Sequence, residues 1–419
     1  MKRIVILGAG FGGLRAAIAL GKRSKELRAE GYQVTLIDKN NYHTYTPLLY
    51  EVSTTSKETA NYLDLKSVTT YPIEGVLLGF PVEFIQAEVS NVDLPNRKVS
   101  LSGGKEINYE YLLIALGAET NFFDITGLEE NALELKSLNG ALKIRDAVWG
   151  MVESATTDEA VDIVIGGAGS TGVELAGEIQ EWISQMQKEG HRCKTSVTLV
   201  DAAPTILDGF EPKIIKHATL RLKKLGTNIL VEERITKVEK GRVYLASGRI
   251  VSYDILIWTG GVKANSIVNE LPIRKDKQSR INASSDMQCV LENQELEIGS
   301  RLYGIGDIVC VHDSSGRPAP MVARAAITQG TIAAKNIIKE IRGRKPDLKY
   351  NPKEYPYIIP IGGKYAIAKI GPLVISGFFG WILKGLVELN YLFSIMPNAR
   401  AFKIWLKGLK IFIQNDRLG

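Results

Sequence analysis

The chain has 419 residues, of which 45% are hydrophobic and 23% charged, with 40 glycines and 15 prolines; this composition excludes a disordered, collagen-like or low-complexity protein and allows roughly two to four domains. Its net charge of +6 is uneven, because residues 1–340 contain 39 basic and 42 acidic residues whereas residues 341–419 contain 13 and 4. Only the C-terminal region therefore calls for an anionic partner, and three scattered cysteines argue against a disulfide framework and predict a reducing, cytoplasmic compartment.

The first predicted elements are a strand, a glycine-rich turn and a helix. Arg3 and the apolar residues 4–7 form the strand, Gly8, Gly10 and Gly13 match the pattern GxGxxG, and an Ala/Leu-rich helix follows. In dinucleotide-binding loops the first glycine permits the tight turn, the second lets the backbone approach a pyrophosphate, and the third lets the helix pack on the strand. The N–H groups at the start of the helix then face the phosphates.

The second predicted strand, residues 33–37, ends on Asp38. A carboxylate in this place can accept hydrogen bonds from ribose hydroxyls. Asp38 lies 30 residues after Gly8 instead of the usual ~20, which predicts a longer helix and loop across the charged segment 21–31.

The same pattern recurs in the middle of the chain. A strand at residues 162–166 leads into Gly167, Gly169 and Gly172, and a later strand ends on Asp201. One GxGxxG match is a weak signal, because such turns also occur for packing alone. Two copies, each with strand, turn, helix, strand and acid, predict that the chain holds two dinucleotides. Two such sites suggest electron transfer between a nicotinamide and a flavin.

Further segments carry a family resemblance along nearly the whole chain. Besides the first glycine loop they are residues 41–55, 108–123, 165–179, 255–265, 302–309 and 323–330. On these motifs the sequence resembles the type II NADH dehydrogenases, which are non-pumping NADH:quinone oxidoreductases among the flavoproteins with two dinucleotide-binding domains.

The resemblance implies an α/β fold with two Rossmann-like domains. A discontinuous FAD domain would consist of residues 1–115 and 280–340, with an NADH domain, 116–279, inserted into it. Residues 341–419 would form an amphipathic-helical membrane-anchoring region. The implied reaction is hydride transfer from NADH to FAD, followed by transfer of two electrons to a membrane quinone without proton pumping.

The resemblance also implies a set of cofactor-binding residues and no metal site. In the family the first loop binds FAD and the second binds NADH, and an Asp after a glycine contacts the flavin ribityl chain. The implied residues are Gly8, Gly10, Phe11, Gly12, Gly13, Asp38, Lys39, Ala115, Gly117, Gly167, Gly169, Thr171, Gly172, Asp201, Gly261, Gly306 and Asp307. Leu116 stands where the family usually has Thr, so a side-chain hydrogen bond is lost there.

Asp201 and Glu174 make the second half more specific. A carboxylate at Asp201 accepts from a ribose 2′-OH and repels a 2′-phosphate, and residues 202–204 supply no cation, which predicts NADH over NADPH. Glu174 is expected in the first turn of the second motif's helix, where it would interact favourably with the helix dipole. The family interpretation instead places it beside the nicotinamide and flavin, as a catalytic residue.

The expected quinone motif departs from the family pattern AQxAxQQG. Residues 323–330 read ARAAITQG, so Arg324 and Thr328 replace two glutamines and only Gln329 is kept. The prediction is that Gln329 and the shorter Thr328 hydroxyl contact the quinone. The alternative is an Ala-rich helix that packs on the FAD domain.

The C-terminal region predicts membrane association. The longest charge-free run, residues 370–383, is shorter than the ~20 residues of a spanning helix. After Pro397 an apolar stripe recurs at helical spacing beside a basic one, a pattern typical of a helix lying in the membrane interface. The apolar stripe is Phe402, Trp405, Leu406, Leu409, Phe412 and Ile413, and the basic one is Arg400, Lys403, Lys407 and Lys410.

Residues 397–413 are thus expected to bind an anionic membrane surface on the cytoplasmic face, as a peripheral protein. A core helix or a dimer helix is the alternative, and whether the chain forms a homodimer stays open. A nucleic-acid partner is not expected, because the acidic body lacks basic residues accompanied by stacking aromatics.

Two other functions compete with this one. A sulfide:quinone reductase shares the architecture but needs redox cysteines near the flavin, and only Cys310, just after Gly306 and Asp307, is placed to approach it. A non-catalytic flavoprotein that senses NADH, similar to the apoptosis-inducing-factor group, is the second.

Overall fold

The computed structural model describes residues 1–156, 159–191, 193–293, 301–313, 316–352 and 354–415. The strands, numbered β1 to β25 in chain order, are Lys2–Leu7, Tyr32–Asp38, Tyr42–Thr44, Thr70–Pro72, Val82–Gln86, Val89–Asp93, Lys98–Leu101, Glu106–Asn108, Tyr111–Ile114, Ala118–Thr120, Leu133–Glu134, Ala160–Gly166, Lys194–Val200, Asn228–Leu230, Ile235–Glu239, Arg242–Leu245, Ile250–Ser252, Ile255–Trp258, Val262–Ala264, Ile281–Asn282, Leu302–Gly304, Val309–Cys310, Tyr357–Pro360, Ala366–Ile370 and Leu373–Gly377. The helices, α1 to α12, are Phe11–Gly21, Ser24–Ala29, Leu49–Val52, Tyr62–Thr69, Ile73–Leu77, Leu128–Asn131, Leu138–Ser154, Ser170–Lys188, Pro212–Leu225, Ala323–Ile341, Phe378–Ile395 and Asn398–Asn415.

The first compact unit contains residues 1–44, 70–119 and 262–355. Its central sheet is parallel, with strand order β21-β9-β1-β2-β5. Residues Ile4 to Leu7 of β1 are fully buried, as expected for a parallel strand covered on both faces. Helix α1 follows β1 through the first glycine loop, and α10 packs against α1. Three antiparallel strands, β6-β7-β8, form a second sheet in this unit.

The sequence predicted a longer helix and loop across the charged segment after the first glycine motif, but the structure has two separate helices there. Helix α1 ends at Gly21, and a separate short helix, α2, begins at Ser24. A Cβ atom on Gly21 would lie only 2.8 Å from Cβ of Phe80, so the end of α1 is in close contact with its neighbour. The additional residues before Asp38 therefore form a turn and a second helix.

The second compact unit contains residues 45–69, 120–261 and 356–419. It has its own parallel sheet, with strand order β11-β18-β12-β13-β14, and β12 leads through the second glycine loop into α8. Two antiparallel three-stranded sheets, β15-β16-β17 and β23-β24-β25, complete its strands. The fold is therefore α/β with two Rossmann-like sheets, the second inserted into the chain of the first. The domain bounds stated above follow cofactor motifs and stay a prediction, because these units reflect compactness alone.

The chain ends in two consecutive helices of the second unit, α11 and α12. Among the described helices, α11 alone is long and apolar enough to cross a membrane by length and composition. One side of it is packed within the unit, through residues that include Trp381, Glu388 and Leu392. Helix α12 begins at Asn398, directly after Pro397.

The predicted apolar stripe of α12 does not face outwards as one surface. Phe412 is only 4% exposed, whereas Phe402, Leu406 and Ile413 are exposed. The ring N–H of Trp405 donates to the Gly385 carbonyl at 2.8 Å, which ties α12 to α11. The stripe is divided because α12 packs on both α11 and α4.

Candidate dinucleotide and quinone sites

The three glycines of the first loop are needed for different reasons. Gly8 has φ +96°, and a Cβ there would lie 2.4 Å from the Ala115 carbonyl oxygen. A Cβ on Gly13 would lie 1.9 Å from the Gly8 carbonyl oxygen. A Cβ on Gly10 would have no neighbour within 4 Å among the residues that the structure describes. Packing therefore explains Gly8 and Gly13, whereas the space beside Gly10 is left for something outside the protein chain.

The second loop repeats this arrangement. Gly167 has φ +101°, and its Cβ would lie 2.4 Å from Cα of Gly260, while a Cβ on Gly172 would lie 1.9 Å from the Gly167 carbonyl oxygen. The middle glycine, Gly169, again faces open space within the described part of the chain. Two loops with the same division of roles occur in the two units.

Both helices that follow these loops begin with uncapped first turns. In the described chain, neither α1 nor α8 has a side-chain N-cap or an acidic residue in its first turn. Their first N–H groups and the positive end of the helix dipole are therefore available to an anion. The open space at Gly10 and Gly169 is where the diphosphate of a dinucleotide would approach the backbone, so the residues present fit FAD and NADH.

The two strand-ending acids, Asp38 and Asp201, hydrogen-bond the backbone of their glycine loops. Asp38 accepts from the N–H groups of Ala9 at 2.6 Å and of Asn40 at 2.8 Å. Asp201 accepts in the same manner from Ala168 at 2.5 Å and Ala203 at 2.8 Å. Burial raises the pKa of Asp38, although the two N–H donors oppose this shift.

Two residues that sequence reasoning missed hold the glycine loops in place. The Nδ1 atom of the buried His43 hydrogen-bonds the Ala9 carbonyl oxygen at 2.9 Å, and burial lowers the pKa of His43 to about 4. In the second unit, the Thr259 hydroxyl lies 3.0 Å from the Gly166 carbonyl oxygen and 2.9 Å from that of Gly167. Both residues lie in the segments that carried the family resemblance, which was the available signal.

Gln329 contacts the turn at Gly306 and Asp307 in its own unit. It is 3% exposed, and its Oε1 accepts from the Gly306 N–H at 2.7 Å. Gly306 has φ +79°, so this hydrogen bond holds a left-handed turn directly before Asp307. Gln329 therefore acts in the structure as a positioning residue for that turn, a role that its sequence motif did not indicate.

The Thr328 hydroxyl was expected to contact the quinone, but in the structure it donates within its own helix. It donates to the Arg324 carbonyl four residues earlier, at 2.9 Å. Short hydroxyl side chains within helices commonly bond back to this carbonyl. While it makes this bond, the Thr328 hydroxyl has no proton for a quinone carbonyl, and its oxygen could accept only from an O–H group of the quinol.

Glu174 lies in the second turn of α8, not in the first turn as expected. It is the fifth residue of that helix, which begins at Ser170. The interaction with the helix dipole falls off beyond the first turn, so that alternative explanation loses weight. Burial raises the pKa of the Glu174 carboxyl to about 8, so it holds its proton at neutral pH.

The remaining predicted residues divide into packed and open positions. Gly12 is packed, because a Cβ there would lie 3.1 Å from the Ala326 carbonyl oxygen. Ala115 is buried, and a Cβ on Gly261 would lie 2.9 Å from the Phe123 ring.

Three others leave room for a ligand, namely Lys39, Gly117 and Thr171. Lys39 and Thr171 are exposed, and Gly117, with φ +70°, faces open space in the part of the chain that is described. The ring of Phe11 makes an edge contact with His43, with their centroids 5.0 Å apart.

The three cysteines are present as thiols, not as a disulfide. All three are buried and free, so they form no disulfide with each other. Burial raises the pKa of the Cys289 and Cys310 thiols, which is opposite to the lowered pKa of a reactive thiolate. This chemistry does not suit a sulfide:quinone reductase.

A cluster of ionisable side chains in the second unit connects α3 with α11. Lys384 forms an ion pair with Glu51, which is 1% exposed, and its ammonium group lies 5.2 Å from the centroid of the Tyr50 ring. The Tyr50 hydroxyl donates to Glu51 Oε1 at 3.1 Å. One turn after Lys384, burial raises the pKa of Glu388 to about 7. We refer to Tyr50, Glu51, Lys384 and Glu388 as the buried ionic cluster.

Comparison with known proteins agrees with this geometry. Residues 2–330 match the model of the pyridine nucleotide-disulphide oxidoreductase family. A type II NADH:quinone oxidoreductase of Staphylococcus haemolyticus is 30% identical over 414 residues, with 96% of this chain and 98% of that protein covered. The enzyme of the same name from Staphylococcus aureus is 28% identical over 415 residues, with the same coverage.

Solved structures share the fold. NDH2 from Plasmodium falciparum in complex with NADH superposes with a TM-score of 0.83 at 18% identity, covering 100% of this chain and 99% of that one. The sulfide:quinone oxidoreductase from Aquifex aeolicus gives a TM-score of 0.76, also at 18% identity, over 99% and 96% of the two chains. The chain therefore belongs to the pyridine nucleotide-disulphide oxidoreductase family and, within it, to the type II NADH:quinone oxidoreductases, flavoenzymes that use FAD and NADH.

Proposed function

We propose that this NADH:quinone oxidoreductase works as a peripheral enzyme on the cytoplasmic face of a membrane, where it meets its quinone and pumps no protons. The main support is the distribution of exposed apolar side chains. Of the 21 large apolar residues exposed in the described part of the chain, eleven lie between Ile370 and Ile413. Patches of this kind mark protein or membrane contacts.

These side chains belong to consecutive elements at the C-terminal end of the second unit. Phe379 is 70% exposed and Val387 53%, both on α11, and Phe402 and Leu406 on α12 are 46% and 45% exposed. Helix α12 also carries exposed basic residues at Lys403 and Lys410. Each lysine near an anionic lipid surface adds about 1 kcal/mol of attraction. Apolar insertion together with a basic flank suits a helix lying in the interface.

We assign FAD to the first loop and NADH to the second. Gly10 and Gly169 would admit the diphosphates, and Asp38 and Asp201 would accept from the ribose hydroxyls. Bound FAD would supply the carrier that takes a hydride from NADH and passes two electrons to the quinone. The chain's own contribution is then positioning, which alone can account for several kcal/mol of a reaction barrier.

Glu174 is our candidate for a catalytic proton donor. Reduction of a quinone to a quinol consumes two protons, and a carboxyl that is still protonated at neutral pH is able to give one. Replacement by Gln should retain bound flavin and lower the rate of quinone reduction by at least tenfold. The matched control is Glu189→Gln, which makes the same change at an exposed residue directly after the same helix and should keep the wild-type rate. An unchanged rate in Glu174→Gln would remove the residue from the mechanism.

The membrane assignment can be tested with substitutions that leave the packed side of α12 intact. We expect Phe402→Ser/Leu406→Ser/Ile413→Ser to lose co-sedimentation with vesicles that contain phosphatidylglycerol. It should also lose activity with a long-tailed quinone while keeping activity with a short-chain one. The matched control is Leu220→Ser/Ile250→Ser, which replaces exposed apolar residues elsewhere in the second unit. Equal vesicle binding by both variants would reject the assignment.

The absence of pumping has its own test. Purified enzyme in sealed vesicles should oxidise NADH with quinone without an internal pH change beyond the one that quinone chemistry causes. A gradient that is sensitive to an uncoupler would contradict the proposal.

A further inference from the structure

A groove on the first compact unit is lined by an unusual number of cationic side chains. It has a volume of about 450 Å³ and lies along α1 and α10, which pack against each other. Six basic residues line it: Arg15, Lys22, Arg23, Lys335, Lys339 and Arg342. We call this feature the cationic groove, and none of the residues that line it belongs to the glycine loops.

Nearby carboxylates neutralise only part of this charge. Glu26 accepts from Arg23 at 2.8 Å and also pairs with Arg342. Asp347 pairs with Lys339. Lys22 and Lys335 form no ion pair with any carboxylate in the described chain. With Arg15 left aside, the other five cations and these two carboxylates leave a net of three positive charges around one groove.

Stabilisation of helix ends does not account for this arrangement. Lys22 follows the last residue of α1, and Lys339 lies in the last turn of α10, where cations interact favourably with the helix dipole. Arg15 and Lys335, however, lie in helix interiors, beyond the reach of that effect. Like charges brought together in a concave site repel one another and raise the local concentration of anions. The groove therefore suits a ligand with several negative charges.

The floor of the groove is apolar and adds a second requirement. It is formed by Ile18, Ile338 and Leu348, together with the methylene stems of the basic side chains. A small inorganic ion would leave this surface unused. Ligand sites combine apolar walls with a few well-placed polar groups, and the volume of this groove falls within their usual range. The ligand should thus carry its charges at one end and an apolar or aromatic body at the other.

We propose that the cationic groove binds a nucleoside polyphosphate from solution, at a third site distinct from the two dinucleotide loops. Its phosphates would lie among the basic side chains, with Lys22 and Lys335 contributing charge that no described carboxylate neutralises. The nucleoside would lie on the apolar floor. A terminal phosphate carries about −1.5 to −2 charges and each inner phosphate about one more, so a triphosphate has enough negative charge to balance the groove, whereas a lipid with one phosphate does not.

The test uses the flavin-loaded enzyme saturated with NAD⁺, so that both dinucleotide loops are filled. Calorimetric titration with ATP should show binding that weakens as salt is added. The variant Lys22→Gln/Lys335→Gln should weaken it by at least tenfold. The control variant Lys105→Gln/Lys277→Gln removes two exposed lysines of the same unit that do not line the groove, and it should bind ATP like the wild type. Flavin content and melting temperature check that both variants are folded.

Three further titrants make the outcome specific. Tripolyphosphate should bind more weakly than ATP, because it has no body for the apolar floor, and equal affinity would overturn the nucleoside part of the proposal. Lysophosphatidic acid below its micellar concentration should bind more weakly still. If it bound more tightly than ATP, the ligand of the groove would be a lipid and the nucleotide proposal would be wrong. No ATP binding, equal ATP binding by both double variants, or orthophosphate binding as tight as ATP binding would reject the site.

Discussion

Replacing Lys384 by Met should destabilise the enzyme strongly, because the change strands a buried carboxylate. Glu51 is 1% exposed, and its Oε2 has no hydrogen-bond partner in the described structure, so Oε1 alone carries its contacts. After the substitution those contacts reduce to the Tyr50 hydroxyl at 3.1 Å. Breaking a buried ion pair on one side costs about 3–5 kcal/mol. Loss of the ammonium group above the Tyr50 ring adds about 0.5–1 kcal/mol.

A double variant removes the Glu51 carboxylate as well as the Lys384 ammonium group. In Lys384→Met/Glu51→Gln no charge is left unpaired, so we expect a loss of only about 1 kcal/mol and a coupling of about 2–4 kcal/mol between the two sites. The loss in the single variant should also shrink as the pH falls, because a protonated Glu51 avoids most of the desolvation penalty.

Urea unfolding of the flavin-loaded enzyme, followed by tryptophan fluorescence, measures these differences. The control is Lys403→Met, which removes an exposed ammonium group from α12 and should change stability by less than about 0.5 kcal/mol. A cost below about 1 kcal/mol for Lys384→Met, or a double variant as unstable as the single one, would contradict a stranded Glu51 carboxylate.

Three further predictions concern other groups. Because the pKa of Glu388 is raised to about 7, the folded enzyme retains a proton that the unfolded chain releases from about pH 4.5, and stability is lost as the pH rises through this window. Glu388→Gln should therefore raise the free energy of unfolding at pH 8 by about 2–3 kcal/mol, seen as a higher melting temperature, and leave it unchanged at pH 4.5. An equal gain at both pH values would contradict burial as the cause. Gly10→Ala should fold normally but purify with much less flavin. Gly13→Ala should lose at least about 2 kcal/mol of stability, because its Cβ would lie 1.9 Å from the Gly8 carbonyl oxygen. Similar melting curves and flavin contents for the two variants would contradict the different roles of these glycines. Asp201→Ala should lower kcat/KM for NADH by about 10–100-fold and for NADPH by less, as measured by steady-state kinetics, and a parallel loss for both would remove Asp201 from specificity.

The elements around the two glycine loops could be predicted because their signals are local. A buried parallel strand, a loop with glycines at fixed spacing and a strand ending on an acid are each readable within a few residues of Gly8 or Gly167. The contacts that give these residues their detailed roles are not local. That Asp38 also closes the loop through Ala9, and that Gln329 holds the turn at Gly306, depends on chain segments that only the fold brings together.

The C-terminal helices show the same limit. Helical periodicity correctly placed an amphipathic helix after Pro397, but periodicity reports only which residues share a face. Periodicity does not say which neighbour that face contacts. It therefore places the buried Phe412 in the same apolar stripe as the exposed Phe402, Leu406 and Ile413. The pairing of Lys384 with Glu51, more than 300 residues away, has no signature in either segment.

The contrast between packed and open glycines offers a way to read distant members of the family. A glycine like Gly13 is required by the backbone itself, and the chain must keep it whether or not a ligand binds. A glycine like Gly10 or Gly169 is required only while a dinucleotide occupies the space in front of it. A homologue that has stopped using one cofactor should therefore accumulate side chains at the middle position of that loop first, with the outer two still in place. Such a relative would keep its fold. A side chain at the position of Gly10 or Gly169 would indicate which of the two cofactors is no longer bound.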